Sequence, residues 1–501
     1  MARQTNNNCL RRTKIQKEID SDFSSGTTCH GFWRLIGSTH GLQKVFWAVF
    51  IIAAFCLTSW QIILQFVAYY SYGTATQIVV QENPSLTFPA VTICNFNTYQ
   101  KSLLTPAERY AVEAGSMLFS DVEDAMLPGF DVGAYLSNMS HLFPNGFDIA
   151  AVTRKAGWKL DNETLLHCKF NGQQCSTNDF WHTFTTYGSC YQFNKNKKYI
   201  QYLSGSGNGL QIMLNIKESE YTSTLLWSGN VESGLRLHVH PQHEAPDVLS
   251  KGISVGPGLK AYVAARTYEL RNAKKPWGEC DPKRRLKYFP FYSKSGCILE
   301  CKDRLVNHNC QCKILHFPGK YPVCDPQQTA NCARNLLSKI RQNMTSYCGH
   351  CVHGCREISH PIQMSYSSIP NSPISDSLAS YIGLNSSSIR RNVVMLDVFY
   401  EDLRIYVTEI YPAMTVGSLL SNVGGQLGLF IGLSVGTLFE FIEYGIIRLL
   451  SFFRLRGASY RKQLPKPTKK GHNESLVDDD KPSSRKGSEM LEMLKHNIPD
   501  S

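Results

Sequence analysis

Long apolar runs are scarce in this 501-residue chain: outside two places, no uncharged apolar stretch exceeds about ten residues. With a slightly negative mean hydropathy, that scarcity excludes a polytopic membrane bundle. No cleavable leader is expected, because residues 1–44 are polar and carry Arg11, Arg12, Lys14 and Lys17. Catalytic signatures are missing as well. There is no Ser/His/Asp constellation and no metal triad. Gly205, Gly207 and Gly209 are followed by no helical pattern, so they read as a β-hairpin turn rather than a phosphate loop. His238 and His240 alternate on one strand face without a third ligand, which reads as a surface strand. The expectation is a protein that is no enzyme and holds no metal or cofactor.

The two exceptions are residues 45–68, twenty-four positions without a charge, and residues 410–439, thirty without one. Either can cross a bilayer core of ~30 Å. The second is unusual in composition: it holds Gly424, Gly425, Gly428, Gly432 and Gly436, with Ser421, Asn422, Gln426, Ser434 and Thr437. Glycine lets backbones approach closely, and polar groups at membrane depth need a protein partner or water. The segment therefore reads as a helix that packs on copies of itself and lines something wet. On composition alone, a small-residue packing stripe at Gly424, Gly428, Gly432 and Gly436 explains the glycines equally well, and both readings can hold. Glu440 and Glu443 follow at its inner end, where a ring of carboxylates would attract cations.

Sidedness follows from flanking basic residues. Arg34 and Lys44 precede the first span; Arg448, Arg454, Arg456, Arg461 and Lys462 follow the second, placing both termini in the cytoplasm. The net charge of +12 partly reflects these flanks and requires no nucleic-acid partner. Of seventeen cysteines, only Cys9, Cys29 and Cys56 lie outside the intervening region; its fourteen are an even number, as disulfides in an oxidising compartment require. Glycosylation acceptors at Asn138, Asn162, Asn343 and Asn385 share that side, whereas Asn473 would be cytoplasmic.

Between the spans, residues 71–92 read as extended, Thr105-Pro106-Ala107-Glu108 starts a helix, and Asp121, Glu123, Asp124 and Asp131 mark an acidic part. Residues 210–216, 235–240 and 260–270 alternate as half-buried strands, and residues 392–407 lead back to the membrane. Residues 280–355 hold ten cysteines around a helical, basic stretch with Arg334, Lys339 and Arg341. The domain reading is a cytoplasmic segment 1–43, a first crossing 44–70, an extracellular domain 71–415, a second crossing 416–448 and a tail 449–501 of disorder-prone composition.

TTCHG before the first span, LTFPAVTICN after it, FTTYGSCYQFN, PWGEC, the Cys297/Cys301/Cys310/Cys312 ladder and GGQLGLFIGLS occur in that order. On these motifs the chain resembles the degenerin/epithelial sodium channel family over residues 23–450, in particular its acid-sensing, bile-acid-sensitive and peptide-gated branch. The resemblance implies an α+β fold in which two transmembrane helices flank a disulfide-rich, hand-like ectodomain of palm sheet, finger, thumb and β-ball. It also implies a homo- or heterotrimer in the plasma membrane, permeant to Na+ and blocked by amiloride.

Residue by residue, it implies a selectivity filter at Gly432, Leu433 and Ser434, and gate or pore positions at Ser421, Asn422, Gly425 and Glu440. Spacing to Trp47 picks His30-Gly31, not His40-Gly41, as the gating dipeptide of a re-entrant segment. Tyr72 and Trp277 would couple the ectodomain to the pore. The implied disulfides are Cys94–Cys190, Cys168–Cys175, Cys280–Cys355, Cys297–Cys351, Cys301–Cys348, Cys310–Cys332 and Cys312–Cys324. The Cys348-X-X-Cys351 spacing departs from acid-sensing members by one residue.

The stimulus is read from departures. His243 stands beside Glu244, Arg334 and Ser338 occupy positions where the acid-sensing pattern has aspartates, and Gly73 and Thr74 replace its histidines. The expectation is a channel opened by an extracellular amidated neuropeptide framed by the basic thumb and acidic finger, with proton gating as the alternative. An ATP-gated trimer would lack the G-X-S and His-Gly motifs, and a non-conducting two-span receptor is the other class weighed.

Overall fold

The computed structural model describes residues 14, 17–119, 131–222 and 232–461. Cys9, Arg11, Arg12, Asp121, Glu123, Asp124, Lys462 and Asn473 lie outside them. Two compact units divide the chain: residues up to Gln61 together with those from Val423 on, and Ile62–Asn422.

The Ile62–Asn422 unit is built on an eight-stranded sheet. Its centre is Leu259–Arg271 lying parallel to Val393–Pro412, with a register shift between Ala265 and Thr267. Leu259–Arg271 alternates buried and half-buried positions along its length, as a strand with one face on a core must. Val393–Pro412 also pairs with Leu210–Asn215 at its start and with Thr74–Glu82 over its far end. A five-stranded sheet runs in the order Ile253–Val255, Leu235–His240, Ala90–Asn95, Gly188–Phe193, Phe180–Thr185. Phe88, Phe193, Leu214, Leu237, Val263 and Val398 from both sheets form one buried cluster.

Two of the sequence readings need correction here. Residues 205–209 do not close a hairpin: Ile200–Gln201 pairs with Leu86–Thr87, while Leu210–Asn215 belongs to the large sheet. The glycines instead let the chain cross between sheets. Gly205 and Gly207 adopt φ of 90° and 89°, and a Cβ on Gly209 would meet the Val398 carbonyl at 2.0 Å. Nor is Leu235–His240 a surface strand, because His238 and His240 are both buried. Thr92 Oγ1 lies 2.8 Å from His240 Nε2, and the Pro241 carbonyl 2.9 Å from its Nδ1.

Two helical clusters pack on this frame. Pro106–Phe119, Val132–Leu142 and Ile149–Ala156 share a core of Val112, Tyr135 and Val152. The first begins with a reciprocal cap: Thr105 N–H donates to Glu108 Oε2 at 2.8 Å, and Glu108 N–H to Thr105 Oγ1 at 3.2 Å. The second cluster, on Lys294–Cys310 and Arg334–Gln342, is cross-linked by Cys297–Cys351, Cys301–Cys348, Cys310–Cys332 and Cys312–Cys324, with Cys280–Cys355 at its base. Cys94–Cys190 joins neighbouring strands of the five-stranded sheet, and Cys168–Cys175 closes the hairpin at the end of the eight-stranded one. A π-helical turn, Thr329–Ala333, precedes Arg334–Gln342 and has no sequence signature.

Gly41–Tyr70 is the one described unbroken helix long and apolar enough to cross a membrane. Val416–Ile431 and Val435–Ser451 pass the same test together, bent by 67° at the break between them. The last helix continues to Arg461, past residue 448 where the sequence reading began a disordered tail.

Candidate functional site

The break in the last apolar segment falls on Gly432, Leu433 and Ser434. Gly432 has φ 73°, a left-handed conformation that ends Val416–Ile431, and its N–H still donates to the Gly428 carbonyl at 3.1 Å. Ser434 opens the next helix as a cap: its hydroxyl accepts from Thr437 N–H at 3.2 Å, while its own N–H donates to Thr437 Oγ1 at 3.0 Å. Backbone carbonyls at such a break are released from the helical ladder and can face an ion or water.

The N-terminal motif is packed into this break. His30 N–H donates to the Ile431 carbonyl at 2.9 Å, and Gly432 approaches the imidazole so closely that a Cβ would lie 2.8–3.0 Å from three ring atoms. Gly31 has φ 85°, and a Cβ there would stand 3.2–3.3 Å from Ile51 and Trp47. His40-Gly41 makes no such contact, a Cβ on Gly41 meeting nothing within 4 Å. Thr28 Oγ1 lies 2.6 Å from the buried Thr437 Oγ1.

Glu440 is held by the N-terminal segment. Its Oε2 accepts from Thr27 Oγ1 at 3.0 Å and from Thr28 N–H at 3.2 Å. Further along, Tyr444 donates to Asp20 at 2.6 Å and stacks on Phe23 at 4.3 Å, with Arg448 donating to the same phenol oxygen. Sequence reasoning missed this docking of residues 20–28 on the last helix. The run of Thr27, Thr28 and Phe23 beside His30 was the available signal.

Ser421 is exposed, and Asn422 donates to Gln65 Oε1 at 3.2 Å. Added Cβ atoms on Gly424, Gly425 and Gly428 meet nothing within 4 Å. Tyr72, at φ 52°, meets Trp277 edge-on at 5.8 Å, and Tyr69 joins the same indole at 6.1 Å. Asn138, Asn162, Asn343 and Asn385 are all exposed.

His243 and Glu244 line a cavity of about 1180 Å³ walled by residues 183–186, 195–197, 242–251, 288–290 and 293–295 among others; Arg334 does not line it. Burial raises the Glu244 carboxyl above its ordinary value, against a lowering by Lys251 and with a further push from Glu357. Burial and Lys197 lower the His243 imidazole. Burial brings the His238 and His360 imidazoles down to about 4, so neither takes a proton in mild acid. Cys297, His350 and Cys351 converge as metal ligands would, but the two sulfurs are bonded to each other.

These features define a disulfide-rich α+β protein whose last apolar segment breaks on a Gly-Leu-Ser turn. The amiloride-sensitive sodium channel family matches residues 23–444. Over 457 residues the chain is 32% identical to the bile acid-sensitive ion channel of Mus musculus, covering 88% of this chain and 90% of that one. It is likewise 32% identical over 440 residues to acid-sensing ion channel 2 of Homo sapiens (84% and 85%), and 30% over 488 residues to acid-sensing ion channel 1 of Gallus gallus (92% and 92%). The chain belongs to the amiloride-sensitive sodium channel family, a family of ion channels and not of enzymes.

Proposed function

We propose that the chain is a subunit of a trimeric, ligand-gated, amiloride-sensitive and sodium-selective channel in the plasma membrane. Both termini are cytoplasmic, the disulfide-bonded unit is extracellular, and Asn138, Asn162, Asn343 and Asn385 carry glycans. The observation that carries this reading is the break at Gly432, Leu433 and Ser434. Three copies of that turn would ring a pore with carbonyls able to replace part of a small cation's hydration. The open faces of Gly424, Gly425 and Gly428 support packing against other copies. Ser421 is the gate, Asn422 and Gly425 lie in the pore, His30 and Gly31 hold the filter from the cytoplasmic side, and Tyr72 with Trp277 couples the extracellular unit to it.

The stimulus is an extracellular ligand, a neuropeptide by the sequence reading. The test is current recording from oocytes expressing this subunit alone, stepped through amidated peptides, bile acids and pH. A ligand-evoked, amiloride-blocked current favouring Na+ over K+ is expected. Surface-expressed protein silent to the whole panel would remove the homomeric channel reading and favour a receptor or an obligate heteromer. One observation favours protons as a second stimulus: the raised carboxyl of Glu244 titrates above the usual carboxylate range. If protons open the channel, Glu244→Gln shifts the current–pH curve; an unshifted curve removes Glu244 as the sensor.

A further inference from the structure

The cavity beside His243 and Glu244 has a charge balance that selects its occupant. Lys195, Lys197, Lys251, Lys294, Lys302 and Lys313 line it, against only three acids, Glu244, Asp247 and Glu357. Those acids are engaged. Glu244 is held toward its neutral form by burial. Asp247 accepts from Ser250 N–H at 3.1 Å, and Glu357 from Gly354 N–H at 2.8 Å with His353 Nδ1 3.0 Å away. Lys197, Lys251 and Lys302, by contrast, make no ion pair among the described residues. Ser293 and Ser295 bring the N-terminal end of the seventeen-residue helix Lys294–Cys310 to the same wall. Ser293 Oγ caps Gly296 N–H at 3.1 Å, and the helix dipole adds further positive potential.

Hydroxyl, amide and imidazole side chains share the lining with an apolar group of Phe289, Pro290, Ile298, Leu315, Phe317 and Met344. A volume of about 1180 Å³ lies just above the roughly 300–1,000 Å³ of ordinary small-molecule pockets, so a bulky ring system fits with room for water. A cationic amidated peptide would bring its amine and guanidinium groups against six lysines. That geometry disfavours it here, whatever it does elsewhere on the molecule.

We propose that this cavity binds a small organic anion with a bulky apolar body, its carboxylate or sulfonate held by Lys251, Lys302 and the N-terminus of Lys294–Cys310, and its body lying on Phe289, Leu315 and Met344. As a gating ligand this anion rests on the channel reading above; as a site it does not. The test is photolabelling of the full-length protein in lipid nanodiscs with benzophenone-4-sulfonate, alongside uncharged benzophenone and a trimethylammonium benzophenone, with labelled peptides mapped by mass spectrometry. The sulfonate should mark Met344 or residues 315–318 about tenfold more than the cation. Excess naphthalene-2-sulfonate should protect the unaltered chain. Lys251→Gln with Lys302→Gln should cut the labelling at least several-fold, while Lys302→Arg and the distant Lys260→Gln leave it intact.

Equal labelling by all three probes, or no protection by the competitor, would overturn the anion site without depending on how any variant folds. Labelling undiminished in the double variant would do the same. Because the readout needs no current, a chain that labels as expected yet never conducts alone would lose the homomeric channel reading and keep the site.

Discussion

Gly432 carries two constraints at once, a left-handed backbone and a ring face where a Cβ would sit. A side chain there costs roughly 1–2 kcal/mol in backbone strain and must also displace His30. Gly432→Ala should therefore abolish or deselect the current while surface expression holds, read from reversal potentials in Na+ against K+. Adding His30→Ala should restore part of it, since the contact is relieved and the strain is not; equal loss in both variants would separate His30 from the filter. Ser421 makes the opposite test. Its side chain is exposed in the single chain, so Ser421→Phe meets resistance only from neighbouring copies and should leave a standing amiloride-blocked current. A closed, wild-type-like channel would refute the gate assignment.

What the sequence showed at this scale was uneven. Spacing to Trp47 set His30-Gly31 apart from His40-Gly41, and a Cβ on Gly31 would stand 3.3 Å from that indole. The partners of Glu440 were not legible, because nothing in a linear sequence says that Thr27 and Thr28 lie against it, more than four hundred residues away. His238 and His240 were misjudged for a related reason. Period-two alternation identifies a polar face but not whether another segment covers it, and here the rings end up buried.

At the scale of elements, alternation served Leu259–Arg271 well because one face meets the core and the other stays partly open. The π-helical turn before Arg334 left no such trace. Glu269 shows how neighbouring elements are pinned. Its side chain is 4% exposed and accepts from Arg356 at 2.9 Å and from Arg271 at 2.7 Å, joining Leu259–Arg271 to Arg356–Ser359. Burial raises its carboxyl, and the two guanidinium groups more than offset that, leaving it below its ordinary 4.5. A carboxyl lowered in the folded state stabilises above its unfolded value, and the gain is lost as pH falls through the folded one. Glu269→Gln should thus lower stability by about 1–3 kcal/mol near neutrality, with the gap to the unaltered protein closing below pH 4.5 in thermal melts. A gap that persists into acid would mean the pair acts by packing alone.

At the scale of the whole molecule, the disulfides divide into loops of very different size. Cys280–Cys355 spans 75 residues and Cys168–Cys175 only 7. Chain entropy assigns about 4.5 kcal/mol to a closure of the first size and about 2.4 to the second. Replacing Cys280 and Cys355 by serine should lower the melting temperature more than replacing Cys168 and Cys175; the reverse order would place the stabilisation in local packing. Which cysteines pair was not readable from spacing, and only the family resemblance supplied it. Their even number and their confinement between the apolar spans were readable directly.

The strand Val393–Pro412 is twenty residues long, about 65 Å if fully extended. Its first half is largely buried and its second half largely half-buried, and it is bonded on both edges, by Leu259–Arg271 on one side and by Leu210–Asn215 and then Thr74–Glu82 on the other. A pull along such a strand loads its ladders in shear, many hydrogen bonds together, rather than peeling them one at a time. The strand is thus the stiff member of the unit, a rod that moves as a piece. Compliance has to come from the places where the ladder is interrupted, and the register shift at Ala265 and Thr267 is the one described in its parallel pairing.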